Sequence, residues 1–148
     1  MTWKPNVTVA AVVERHGRFL LVRERDGGSV VLNQPAGHLE QGESLLQAVA
    51  RETLEETGRE FEAAGLVGVY RYPSEQQGLT YLRFCFHGHC SAADPERTLD
   101  PDILDTLWLT PGELATRTES VRSPLVRRCL DDYLAGRRYP LSLLTDLA

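Results

Sequence analysis

The chain has little of what marks several large protein classes. Its 148 residues hold three cysteines, Cys85, Cys90 and Cys129. That is an odd number with no CxxC spacing, which argues against both a disulfide framework and a zinc site. They read as reduced thiols, mostly buried as small apolar groups. No apolar run approaches the roughly 18 residues of a membrane span, and the opening Met1-Thr2-Trp3-Lys4-Pro5-Asn6 lacks the apolar stretch of a secretory leader. The expectation is a cytoplasmic protein with no membrane partner. Basic residues form no block: the longest clusters are Arg127–Arg128 and Arg137–Arg138, with Asp131 and Asp132 between them. The net charge is −5. A binder of nucleic-acid polymers would concentrate positive charge on one face, so that partner class is set aside. An acidic protein that handles phosphates needs a mediator, and a divalent cation is the usual one.

What is present is ordinary for a globular protein: 42% hydrophobic and 25% charged residues, enough for a core without metal or disulfide staples. The length fits one domain over residues 1–148, with no repeat, low-complexity tract or linker. Nothing in the pI near 5.4 decides between a monomer and a small homo-oligomer.

Residues 7–13 are rich in β-branched residues and read as a buried strand, returning after Arg15-His16-Gly17 as residues 19–22 in a hairpin. A turn at residues 26–29 precedes a short strand at 30–32, and Pro35-Ala36-Gly37 opens a loop. Ser44 caps a helix over residues 45–57 that Gly58 stops. Strands follow at 61–72 and 79–90, then a polar loop at 92–101 and a strand at 106–109. Helices at 111–115 and 124–135 close the pattern, the latter capped by Ser123 and stopped by Gly136. Strands with inserted helices predict an α/β or α+β layer arrangement, a mixed sheet covered by helices.

The chemistry concentrates at residues 37–58. Glu52, Glu55 and Glu56 stand at i, i+3 and i+4, so their carboxylates leave one helical face. Such like-charge neighbours destabilise a helix by a few tenths of a kcal/mol per pair unless a cation neutralises them. Hard oxygen ligands suit Mg²⁺, with Mn²⁺ as substitute. A solvated acidic face is the plainer alternative for any Glu-rich helix.

The surrounding pattern decides between them, because the segment resembles the Nudix box, GX₅EX₇REUXEEXGU with U bulky and apolar. Gly37, Glu43, Arg51, Glu52, Glu55, Glu56 and Gly58 match all seven fixed letters. With each letter at about 5–7% abundance, chance agreement is on the order of 10⁻⁹ per starting position. Thr53 and Arg59 depart from the two U positions, which serve packing.

The resemblance implies a Nudix αβα sandwich with a mixed sheet and a Mg²⁺-dependent hydrolase of phosphoanhydrides. It implies Glu52, Glu55 and Glu56 as metal ligands, with the Gly37 carbonyl as another. Arg51 and Glu43 would brace loop against helix, and Glu52 would activate or orient the attacking water. A further acidic ligand is expected some 40 positions after the helix, among Asp94, Glu96, Asp100, Asp102 and Asp105. Asp102 is the choice, for its place just before the strand at 106–109.

Scattered fragments resemble NudJ-type phosphatases within that family: residues 4–10 and 33–40, Leu82-Arg83-Phe84, residues 122–126 and residues 138–141. That likeness implies nucleoside tri- and diphosphates as substrates with orthophosphate release, and activity on hydroxymethylpyrimidine diphosphate. ADP-ribose, a dinucleoside polyphosphate or an oxidised nucleotide is the alternative within the family. A non-catalytic nucleotide sensor is the alternative outside enzymes.

For substrate contacts, Gln34, His38 and Arg83 are favoured, the first and last because they fall in those fragments. Arg23, Arg25 and Arg71 are further candidates for a phosphate fork. Tyr70, Tyr72, Tyr81 and Trp3 could stack a base or pack the core. Arg122 precedes the Ser123 cap and could reach a phosphate. His87 and His89 share a strand face with Cys85, and packing is preferred there over a zinc pair.

Overall fold

The computed structural model describes residues 2–148. Nine strands and three α-helices follow one another as β1 (Asn6–Val12), β2 (Glu14–Arg15), β3 (Arg18–Asp26), β4 (Ser29–Asn33), β5 (Ala36–His38), α1 (Leu45–Thr57), β6 (Phe61–Ser74), β7 (Leu79–Cys90), β8 (Ile103–Leu109), α2 (Pro111–Thr116), β9 (Ser120–Val121) and α3 (Pro124–Leu134). They form two mixed sheets flanked by helices, the α/β arrangement the sequence predicts.

One sheet runs β5-β1-β7-β6, with β1 and β7 parallel and the other pairs antiparallel. The second holds β2, β3, β4 and β9, with β8 on the other side of β3. β1 is apolar from Val9 to Val12, where both of its faces are buried. Ala10 and Val12 join Phe19, Leu21, Leu32, Cys85, Cys129 and Leu130 in one cluster that includes α3. Val9 and Ala11 alternate to the other face, where Ala48 and Val49 of α1 meet Leu20, Leu66 and Phe86.

Two expectations fail for a shared reason. The hairpin of residues 7–13 with 19–22 shrinks to β2 against β3, pairing Glu14 with Phe19 and Arg15 with Arg18. β1 instead pairs with β5 and β7, so the chain changes sheet near Val13. The expected loop at Pro35-Ala36-Gly37 is strand from Ala36: Ala36, Gly37 and His38 face Ala10, Val9 and Thr8 across an antiparallel ladder. In both cases a long-range pairing outweighs the local turn pattern. β3 and β8 are also longer than predicted, and α3 stops one residue earlier, at Leu134.

The caps fall as predicted. Ser44 and Gln47 form a reciprocal capping box, and Gly58 ends α1 in the left-handed region at φ 71°. Thr53 is fully buried, its hydroxyl donating to the Val49 carbonyl at 2.8 Å. Arg59 lays its guanidinium over the Trp108 ring at 5.2 Å. All three cysteines are free, with Cys85 and Cys129 buried.

Candidate functional site

A large cleft, about 1640 Å³, lies where β5, one side of α1, β4 and the turn before β8 converge. β5 feeds Gly37 directly against α1. A Cβ at Gly37 would overlap the Glu52 carboxylate, so glycine here leaves that carboxylate in its place. Gly37→Ala should therefore lower kcat/KM by about 10²-fold, since a shift of about 1 Å in the reacting geometry costs that much. Steady-state kinetics at an unchanged circular-dichroism spectrum checks it.

Arg51 organises the acids around it. Its guanidinium donates to Glu43 at 2.9 and 2.7 Å, to Glu52 at 2.8 Å, to Glu55 at 3.2 Å and to the His38 carbonyl at 3.0 Å. One planar fork thus ties the loop after β5 to α1. Hydrogen bonding from Arg51 holds the Glu43 carboxyl below its usual range. Glu52 behaves oppositely, because burial pushes its pKa up against the pull of Arg51. Glu56 lies one turn on, 7% exposed, accepting from the Ala36 N–H at 2.9 Å. Burial raises it to about 9, with Glu24, Glu52 and Asp100 adding to the rise. In the absence of a cation, Glu56 is a neutral acid at pH 7.

Carboxylate oxygens of Glu52, Glu55 and Asp100 come within 4.8 Å of one another, the group among the described residues best placed to hold a cation. Asp100, not Asp102, is thus the acid after the helix that joins them. The cause is backbone tethering: Asp100 N–H donates to the Glu55 carbonyl at 3.0 Å, and Asp94 N–H to the Gly58 carbonyl at 2.9 Å. Those bonds satisfy carbonyls at the C-terminal end of α1 and draw the loop onto the helix. Asp102 is exposed at the cleft rim, its carbonyl taken by Arg25 N–H at 2.9 Å. Asp100→Asn should weaken Mn²⁺ binding about tenfold or more, and Asp102→Asn by less than about twofold. Paramagnetic titration of each variant compares them.

The substrate candidates separate cleanly. His38, Arg83, Arg25, Arg122, Tyr72 and Tyr81 line the cleft, the two tyrosine rings nearly parallel with centroids 6.5 Å apart. Gln34 does not reach the cleft: it is fully buried, which corrects its expected contact with substrate. Arg23 is occupied by Asp105 at 2.9 and 3.0 Å, and Arg71 points to solvent outside the cleft. Tyr70 donates to Asp132 at 2.7 Å beside the core, and Trp3 is exposed away from the cleft wall. Ser123 caps α3, while Arg122 donates to the buried Glu24 carboxylate at 2.8 Å. His87 and His89 join no metal-binding group among the described residues.

Sequence reasoning missed Thr8, Glu24 and Asn33, all buried polar residues in the cleft wall. A polar residue within or closing an apolar run is the signal that marks Thr8 and Asn33, whereas Glu24 sits among Arg23, Arg25 and Asp26 and carries no such mark. Thr8 Oγ1, Asn33 Oδ1 and Arg83 Nε have no hydrogen-bond partner. Orphaned buried polar atoms are rare, and three on residues that line one cleft point to a polar ligand there.

A glycine-opened helix face bearing clustered acids, set in a cleft between two mixed sheets, defines a Nudix hydrolase site. The NUDIX domain family model matches residues 2–129, and the chain belongs to that family. It is a hydrolase acting on phosphorus-containing acid anhydrides. Within the family it is similar to phosphatase NudJ of Escherichia coli K12, 38% identical over 144 residues, 97% of this chain and 93% of the relative. The same figures hold for phosphatase NudJ of Shigella sonnei. A solved Nudix hydrolase from Nitrosomonas europaea is 49% identical with a TM-score of 0.93, covering 97% of each chain.

Proposed function

We propose that the chain, acting as one domain, hydrolyses nucleoside tri- and diphosphates with Mg²⁺ as cofactor, Mn²⁺ substituting, and releases orthophosphate. Hydroxymethylpyrimidine diphosphate is the further substrate of this reading, by likeness to the NudJ phosphatases. The observation that carries it is the convergence of Glu52, Glu55 and Asp100, the first and last of which line a cleft whose other walls hold residues with unpaired polar atoms and two tyrosines.

The donor set fits a hard divalent ion: three carboxylates, beside a glycine whose missing side chain leaves room. Glu52, Glu55 and Asp100 would hold it, with the Gly37 carbonyl and Glu56 next to them in the cleft. When bound, such an ion neutralises phosphate charge and acidifies the attacking water. Glu52, already raised in pKa by burial, is placed to take or orient that water's proton. Arg51 and Glu43 keep Glu52 and Glu55 in position, and His38 at the rim offers a donor to the phosphate chain. The organic group extends toward Thr8, Asn33 and Arg83, with Tyr72 and Tyr81 beside it. Water adds to the terminal phosphorus, the bridging P–O bond breaks, and the shortened nucleotide leaves with that oxygen.

A panel of nucleoside tri- and diphosphates, ADP-ribose and hydroxymethylpyrimidine diphosphate, with products resolved by ion exchange, tests the reading. Orthophosphate plus nucleoside diphosphate from a triphosphate is expected. Pyrophosphate plus monophosphate would move the cleaved bond, and no product with any divalent cation would overturn the assignment.

A further inference from the structure

Arg83 carries its charge into the cleft floor with 7% of its surface exposed, and no carboxylate pairs with it among the described residues. Burying a cation without a counter-charge is costly, and its Nε–H lacks even a neutral partner. One bond anchors the guanidinium: Nη1 donates to Gln34 Oε1 at 2.9 Å. Gln34 is itself fixed from behind, its amide nitrogen donating to the Ala11 carbonyl at 3.3 Å and facing Cys85 Sγ at 3.6 Å. Those contacts settle the amide orientation, since a flipped Gln34 would set its nitrogen against the Arg83 donor. Burial pushes the Cys85 thiol up, so that sulfur supplies no counter-charge, while the neighbouring Cys129 thiol is drawn down by its hydrogen bond with Cys85 and by the Arg83 guanidinium.

Register places Arg83 along the cleft. It pairs with Thr8 on one side of β1, and Thr8 pairs with His38 on the other. Two strand spacings, roughly 10 Å, therefore separate Arg83 from the residue that follows Gly37. Arg83 lies beyond the reacting phosphate, next to the unpaired Thr8 hydroxyl.

We propose that Gln34 is a positioning residue for substrate recognition, holding Arg83 so that its guanidinium, part of the cleft lining, meets a hydrogen-bond acceptor on the non-reacting part of the substrate. The inference rests on reading the cleft as a nucleotide site. The acceptor is a carbonyl or ring nitrogen of the heterocycle, or an oxygen of a non-reacting phosphate.

The test measures equilibrium binding of a methylene-bridged guanosine triphosphate analogue and of inorganic tripolyphosphate by calorimetry, beside kcat and KM. Binding reports on Arg83 even if turnover fails, so a protein that binds but does not hydrolyse contradicts the proposed activity alone. Gln34→Met and Arg83→Met should each weaken binding about tenfold, the loss expected for one charge-assisted hydrogen bond. KM should rise in step with the weakened binding in both variants. The double variant should be no worse than Arg83→Met, a non-additivity that a purely structural role for Gln34 would not produce. Weakening confined to the nucleotide analogue locates the acceptor on the organic group, and equal weakening with tripolyphosphate locates it on the phosphate chain. Unchanged affinity in folded Gln34→Met, or additive losses in the double variant, would overturn the proposal. If Gln34→Met does not fold, Arg83→Lys decides: it keeps the charge but loses the planar edge, so wild-type affinity there would also overturn it.

Discussion

Glu56→Gln is expected to cut cation-dependent phosphate release steeply while raising the melting temperature of the metal-free protein. The two effects share a cause. Glu56 is a buried acid whose pKa is pushed up from 4.5 to about 9, by burial first and then by Glu24, Glu52 and Asp100. Between those values the folded state binds a proton that the unfolded state has lost, so stability falls as pH rises through the window. Glutamine keeps the acceptor for the Ala36 N–H and removes the titration. Melting in chelator should show a gain on the order of 1–3 kcal/mol at pH 7, several degrees for a chain of this size. That gain should grow toward pH 9 and vanish below pH 4.5. Turnover should fall by about 10²-fold or more, as for loss of one preorganised electrostatic contact. A variant both active and no more stable would show that the acid is neither strained nor used.

Arg51→Ala should have the opposite effect on stability. Its fork serves Glu43, Glu52, Glu55 and the His38 carbonyl, and its removal leaves three acids facing one another without compensation. The loss is on the order of 2–4 kcal/mol, at the lower end of broken buried pairs because Arg51 is 22% exposed. Glu43 sets the pH dependence. Arg51 holds its pKa below 4.5, so the stabilisation is present above that pH and is lost as pH falls through the depressed value. Urea denaturation should therefore separate variant from wild type widely at pH 7 and narrowly near pH 3. Divalent cation should recover part of the variant's stability, because it supplies positive charge to the same carboxylates. Arg51→Lys should recover little, since one ammonium cannot span four acceptors.

The legible part of the site was the part encoded in one helix. Glu52, Glu55 and Glu56 share a face by helical period alone, and Ser44 and Gly58 delimit the helix by capping chemistry. Asp100 was not legible, because backbone bonds from a polar loop to the end of α1 select it over four other acids in or beside that loop. β5 was hidden for a similar reason: three residues after a proline carry no strand pattern, and only β1 makes them a strand. The predicted hairpin misled because neighbouring strands often pair, whereas here the chain passes from one sheet to the other. Gln34 and Arg83 stood out as polar residues in a suggestive motif. Burial then assigned them different tasks, one in the cleft wall and one behind it.

Calorimetric titration of the intact protein with Mn²⁺, alone and with a methylene-bridged nucleoside triphosphate, addresses the cation-gathering role of Glu52, Glu55 and Asp100 most directly. Saturable uptake that Glu52→Gln and Asp100→Asn each weaken about tenfold or more is the predicted result. Absence of uptake in both conditions, or uptake that neither substitution alters, would contradict it.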